Sequence, residues 1–144
     1  MTVSAILKHK GYDVARVPPT ATIAEVAQLL SKRRIGAALV LDSADQLLGI
    51  VSERDIVSSL AEHGPRTLDR TAAQLMTRDL HIANPSTTVA RAMEMMTEAR
   101  FRHLPVMDGD RLLGVVSIGD IVKARLSQQE QEVDSLKAYV AGVG

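Results

Sequence analysis

The chain has 144 residues, 46% hydrophobic and 24% charged, a balance that fits one folded body, or two small units sharing a core, and excludes a disordered chain. Its 17 Lys+Arg against 17 Asp+Glu leave no global field to gather nucleic acid or an anionic membrane, and one Phe, two Tyr and no Trp leave almost no platform for stacking single strands. Cys is absent, which removes disulfides, thiol nucleophiles and Cys-ligated zinc; with no signal-like apolar stretch over Met1–Gly11 and no run long enough to span a bilayer, the expectation is a soluble, cytoplasmic protein.

In chain order, Ser4–His9 predicts a short lead helix, followed by a loop marked by Pro18-Pro19. A helix is expected from Thr22, a good N-cap, because Ile23, Val26, Ala27 and Leu30 fall on one face at i, i+3, i+4 and i+7. The apolar runs Ala37–Leu41 and Leu47–Val51, joined by Asp42-Ser43-Ala44-Asp45, predict a strand hairpin. A second helix starting at Ser52 would bring Ile56, Val57, Leu60 and Ala61 to the same core.

Gly64-Pro65 then marks a break, Ala73–Met76 gives a second short lead, and the sequence of elements starts again. Asn84-Pro85 precedes a helix from Thr88 with Val89, Ala92, Met93 and Met96 inward, the methionines being read as core. A hairpin turns at Asp108-Gly109-Asp110, Pro105 suggesting an edge or a strand start, and a helix begins at Ser117 with Ile121 and Val122 facing in. After Leu126 the tail turns polar, with Val133, Leu136 and Val140 as a docking stripe.

The restart is a duplication. Asp45, Leu47, Leu48, Gly49, Val51, Ser52, Asp55, Ile56 and Val57 recur as Asp110, Leu112, Leu113, Gly114, Val116, Ser117, Asp120, Ile121 and Val122, and Pro19, Thr22, Ala24, Arg34, Val40 and Asp42 recur as Pro85, Thr88, Ala90, Arg100, Val106 and Asp108. One copy is too small to cover its own sheet. We therefore expect an α/β (α+β) fold in which two copies, each a short sheet with flanking helices, pack as a pseudo-twofold pair. The expected division is 1–63, with the N-terminal lead, 64–126, and a helical tail over 127–144.

At each copy's last junction stands Gly-aliphatic-aliphatic-Ser-x-x-Asp: Gly49-Ile50-Val51-Ser52-Glu53-Arg54-Asp55 and Gly114-Val115-Val116-Ser117-Ile118-Gly119-Asp120. With Arg102-His103-Leu104-Pro105-Val106, these segments resemble the CBS domain, and the pair looks like a Bateman module of the small stand-alone bacterial type. The resemblance spans Ser4 to about Leu126. It implies a cleft between the copies for AMP, ADP, ATP, NAD(H) or S-adenosylmethionine, and a homodimer shaped as a flat disk.

Ser-x-x-Asp at a helix start has two compatible readings. The Ser can cap the first turn while the acid completes a capping box. A carboxylate can also accept both hydroxyls of a ribose, beside unsatisfied helix N–H groups that favour phosphate or ribose oxygens. The resemblance assigns the ribose role to Asp55 and Asp120, with Ser52 and Ser117 at the helix starts. Arg54, Arg102 and His103 are expected to supply phosphate contacts, and Pro19, Gly36, Ala37, Leu104 and Pro105 to line the clefts. Because Gly36-Ala37 stand where the second copy has Arg102-His103, and Gly119 where the first has Arg54, the two clefts are expected to differ, with Asp55, Arg102 and His103 serving the stronger one.

His9, His63 and His81 have no metal-ligand spacing, and no nucleophile with a base, P-loop or paired carboxylate is present, so neither a metal cluster nor an enzyme is expected. The function read from the sequence is regulatory sensing of an adenine nucleotide, with an unknown regulated protein as partner. The alternative is a constitutive interaction scaffold whose Ser-x-x-Asp motifs only cap helices.

Overall fold

Each repeated Thr does what its position in the sequence requires. In the computed structural model, which describes residues 1–143, the Thr22 hydroxyl accepts the Glu25 N–H at the start of α2 (Ile23–Arg33), and Thr88 accepts the Arg91 N–H at the start of α5 (Val89–Ala99). Both helices end at an arginine in the left-handed region, Arg34 and Arg100. Their apolar faces are buried as expected, with Ile23, Val26 and Leu30 in one core and Val89, Ala92 and Met96 in the other.

The chain separates into two compact units, Asp13–His81 and Met1–Tyr12 with Ile82–Gly144. In the first, β1 (Arg16–Val17) runs parallel to β2 (Ala37–Leu41), which pairs antiparallel with β3 (Leu47–Ser52), giving the order β1-β2-β3. α3 (Glu53–His63) follows, then a 3-10 turn over Gly64–Asp69 that packs on α2 and α3, and α4 (Ala72–Leu75). A buried hydrogen bond between the Ser59 and Thr67 hydroxyls, 2.8 Å, ties the 3-10 turn to α3, so neither buried hydroxyl is left unsatisfied.

The other unit repeats this plan with β4 (His103–Asp108) and β5 (Arg111–Ser117) antiparallel, and Ala83 bridging parallel to Val106 where the first unit has β1. The Pro105 carbonyl accepts from the Ala83 N–H, so Pro105 presents its backbone away from β5. Its missing N–H therefore costs the β4–β5 ladder nothing: in this two-stranded sheet Pro105 turns its nitrogen away from β5, on the edge side as expected, though from inside β4 and not at its start. The mixed fold, two small sheets with flanking helices, is the one expected.

The leads are exchanged between the copies. α1 (Val3–Lys10) packs on β5 and buries Val3, Ile6 and Leu7 in the core that holds Val89, Leu104 and Ile121, while Ala72 and Met76 join the core of Ile23, Val40 and Ile56. The brackets are equivalent: Val3 N–H to Thr87 and Val89 N–H to Met1 in one unit, Ile23 N–H to Arg70 and Ala72 N–H to Ala21 in the other. Divided in chain order as 1–63 and 64–126, each copy thus carries a lead that is buried in the other copy's core.

Val57, Leu60, Ala61 and Val122, expected in the core, are exposed; a helix buries one stripe, and Ile56 and Ile121 occupy it. The tail from Leu126 continues α6 (Ile118–Val143) without a break; Gly144, the last residue of the expected tail, lies outside the described residues.

Candidate functional site

At the end of β3 the chain turns from strand into helix at Ser52, whose extended backbone makes it the N-cap of α3. Its hydroxyl accepts the Asp55 N–H (3.3 Å), and Asp55 Oδ2 accepts the Ser52 N–H (2.8 Å) and the Ser52 hydroxyl (3.0 Å), closing a capping box. The other carboxylate oxygen, Oδ1, accepts from the Thr77 hydroxyl at 3.3 Å. Gly36 and Ala37 sit beside this turn, Ala37 in register with Ser52 and the Gly36 carbonyl accepting the Glu53 N–H at 2.9 Å. Asp55 is half-buried and Arg54 exposed.

The second helix start has the same frame. His103 is in register with Ser117, the Arg102 carbonyl accepts the Ile118 N–H (2.8 Å), Asp120 Oδ2 accepts the Ser117 N–H (2.8 Å), and the Ser117 hydroxyl accepts the Asp120 N–H (3.1 Å). Here the additional partner is charged. Lys10 Nζ lies 2.6 Å from Asp120 Oδ2 and also donates to the Val115 carbonyl at 3.1 Å. Burial of Asp120 opposes its charge, but the Lys10 ammonium and the Ser117 N–H outweigh that cost and hold the carboxyl below its ordinary pKa.

The structure therefore groups Gly36, Ala37, Ser52, Arg54 and Asp55 at one end of the first sheet, and Arg102, His103, Ser117 and Asp120 at one end of the second. Pro19 is not part of the first group. β1 runs parallel to β2 with Val17 opposite Val40, so the chain beyond it heads for the Leu41 end, and the Pro19 carbonyl accepts the Ala73 N–H. The segment Asp13–Ala15, entering β1 from the other direction, lies on the Ala37 side; β1 is too short to announce itself by alternation. Leu104 is fully buried in its core and Pro105 is buried beside it, so neither is an open wall.

The glycines of the motif face the lead segments. A side chain at Gly49 would meet the Thr77 carbonyl oxygen at 2.6 Å and Met76 at 2.9 Å, and one at Gly114 would meet Leu7 at 2.9 Å. The close approach that these glycines permit is made by the exchanged leads. Thr77 and Lys10 come from those same leads, and nothing in their spacing marks them as partners of Asp55 and Asp120.

Among the described residues, no group of three or more His, Cys, Asp or Glu is placed to hold a metal ion, and no helix is long and apolar enough to cross a membrane.

The duplicated frame, a strand delivering Ser and Asp to a helix start twice over, matches known proteins across the chain. The CBS domain profile fits residues 3–62 and 72–127. The chain belongs to the CBS domain family. It is similar to a crystal structure of a CBS-domain containing protein from Agrobacterium tumefaciens, at 41% identity and a TM-score of 0.84, covering 86% of this chain and 92% of that one. A mitochondrial CBS domain-containing protein of Arabidopsis thaliana is 31% identical over 98% of this chain and 72% of its own length. A CBS domain protein of Pyrobaculum aerophilum, solved complexed with AMP, is 31% identical with a TM-score of 0.73, covering 83% of this CBS pair and 89% of that chain.

Proposed function

We propose that this CBS pair is a regulatory module that binds an adenine nucleotide, AMP, ADP, ATP or NAD(H), and alters its interaction with a regulated protein when it does so. It carries out no chemistry of its own and acts in the cytoplasm as a homodimer. The observation that carries this reading is the pair of half-buried carboxylates, Asp55 and Asp120, each fixed at a helix start by a serine N–H. A carboxylate so held keeps acceptor capacity for ribose hydroxyls, and the adjacent helix N-terminus favours oxygen-rich ligands. The AMP complex of the Pyrobaculum relative supports the choice of ligand.

In this proposal Asp55 accepts from the ribose with Ser52 and Arg54 assisting, and Arg102 and His103 contact phosphate. Gly36 and Ala37 present backbone close to the ligand. Ser117 and Asp120 serve a second, weaker position. Linkage then requires that nucleotide and regulated protein change each other's affinity by the same factor.

The test is calorimetric titration of AMP, ATP and NAD into the purified chain and into Arg102→Ala. Saturable binding that weakens in the variant, more for ATP than for adenosine titrated alongside as the phosphate-free control, supports the assignment. Absence of heat with every nucleotide at millimolar concentration would leave the scaffold reading, in which both capping boxes serve only their helices.

A further inference from the structure

The second half of α6 has no cover from its own chain. Every side chain from Gln129 to Gly142 is exposed, including Val133 at 50%, Leu136 at 63% and Val140 at 62%. A helical segment of this length, about 20 Å, is marginal alone in water and gains its stability by burying a face.

The face it offers has a definite period. Val122, Leu126, Gln129, Val133, Leu136 and Val140 alternate in steps of four and three residues, so Leu126, Val133 and Val140 take heptad position a, and Val122, Gln129 and Leu136 position d. A repeat of seven across both ends of the segment is the pattern of a two-stranded coiled coil, with one polar residue, Gln129, in the seam to fix register.

The flanking charges select the partner and its direction. Arg125 and Glu132 fall at g, Glu130 and Lys137 at e. In a parallel, in-register pair of identical helices, each g residue faces the e residue of the following heptad on the other helix, which sets Arg125 against Glu130 and Glu132 against Lys137 of the second copy. All of these pairs are opposite in sign. The antiparallel register of greatest overlap, with Leu126 against Leu136, sets Glu130 against Glu130 and Lys123 against Lys137. Like charges oppose it.

We propose that residues Leu126–Val140 of α6 form a parallel, in-register coiled coil with the same segment of a second copy of this chain. The inference concerns a surface separate from the capping boxes, and it does not depend on nucleotide binding. It names a contact for the homodimer proposed above without requiring that other faces take no part.

Because the chain has no Cys, a single introduced thiol reports position. The experiment compares Leu136→Cys, in the seam, with Ser135→Cys, outside it, in the full-length protein equilibrated in a glutathione redox buffer. We expect most of Leu136→Cys to become disulfide-linked dimer and Ser135→Cys to remain largely monomeric on a denaturing gel. Adding Glu132→Lys to Leu136→Cys should reduce cross-linking by roughly tenfold at low salt, since each copy then opposes Lys to Lys, and adding Lys137→Glu as well should restore it. A mixture of Leu126→Cys and Leu136→Cys proteins that links preferentially to one another would show antiparallel pairing and overturn the proposal. So would equal linking of Leu136→Cys and Ser135→Cys. A dimer in sedimentation in which Leu136→Cys never links would also overturn it, while leaving a homodimer built on other faces standing.

Discussion

At Ser52–Asp55 the carboxylate is held by a serine and a neutral hydroxyl, that of Thr77, whereas at Ser117–Asp120 it is held by a serine and the Lys10 ammonium. The motifs themselves are near copies, and so are the strands that deliver them. What differs is the lead segment packed beside each: Met76 and Thr77 against Gly49, Leu7 and Lys10 against Gly114. Part of the asymmetry between the two helix starts is thus written in the short helices that each copy lends to the other, beside the differences at Arg54 and at Arg102-His103. One carboxylate is paired with a cation, and the other with a neutral hydroxyl.

The largest effect that would sharpen this comparison is on nucleotide affinity. Asp55→Ala should remove the acceptor of the tighter position and weaken AMP by roughly 1.5–3 kcal/mol, the scale of a hydrogen bond to a charged group, or about tenfold to a hundredfold. Asp120→Ala should leave that tight phase in place. Calorimetry on both variants decides it, provided melting temperatures are followed in parallel, since each substitution also opens a capping box. Loss of the tight phase in Asp120→Ala alone would reverse the assignment, and would mean that the Lys10 pair marks the stronger position.

A second contrast concerns stability. The Cβ of Gly49→Ala would lie 2.6 Å from the backbone oxygen of Thr77, which is itself pinned by the paired hydrogen bonds between Thr77 and Ile50. The Cβ of Gly114→Ala meets only the end of the Leu7 side chain, which can turn aside. Overpacking of this kind costs about 1–3 kcal/mol, and Gly49→Ala should fall at the upper end and Gly114→Ala at or below the lower. Urea midpoints measure both. Equal losses would show that Leu7 is as rigidly held as the Thr77 backbone, and that the two leads are mechanically alike.

The same particulars show how much the sequence disclosed. The Thr caps, the inward faces of α2 and α5, both hairpins and the Ser-x-x-Asp helix starts were legible because each rests on local spacing, and the repeat let one copy check the other. The exchange of leads was not, because Ser4–His9 and Ala73–Met76 are amphipathic toward some core without specifying which. Lys10 and Thr77 were invisible for the same reason: they lie 110 and 22 residues from the carboxylates they touch, and only the exchange brings them there. Val57, Leu60 and Val122 were misplaced because apolar character alone does not separate a buried stripe from its exposed flank.

The smallest predicted effect tests the electrostatic half of the contrast. Asp120 has a folded-state pKa below its unfolded value, because the Lys10 ammonium and the Ser117 N–H together exceed the opposing cost of burial. A carboxyl shifted this way stabilises the fold at pH values above the unfolded pKa of about 3.9 and loses that contribution as the pH falls through the folded value. Removing the cation with Lys10→Met should therefore cost about 0.2–1 kcal/mol near neutral pH, the range for a partly exposed ion pair. The difference from wild type should shrink as Asp120 becomes protonated in acid. The hydrogen bond from Lys10 to the Val115 carbonyl is lost at every pH, so the pH-dependent part isolates the carboxylate pair. Added salt should shrink the difference at neutral pH as well. For Thr77→Val, which removes a neutral donor from Asp55, the stability loss should be insensitive to salt. Urea midpoints for the two variants, at low and high salt and from neutral to acidic pH, compare the half-sites directly. If Lys10→Met shows no more salt and acid dependence than Thr77→Val, the ion pair does not distinguish the two helix starts, and their difference must lie in Arg54, Arg102 and His103.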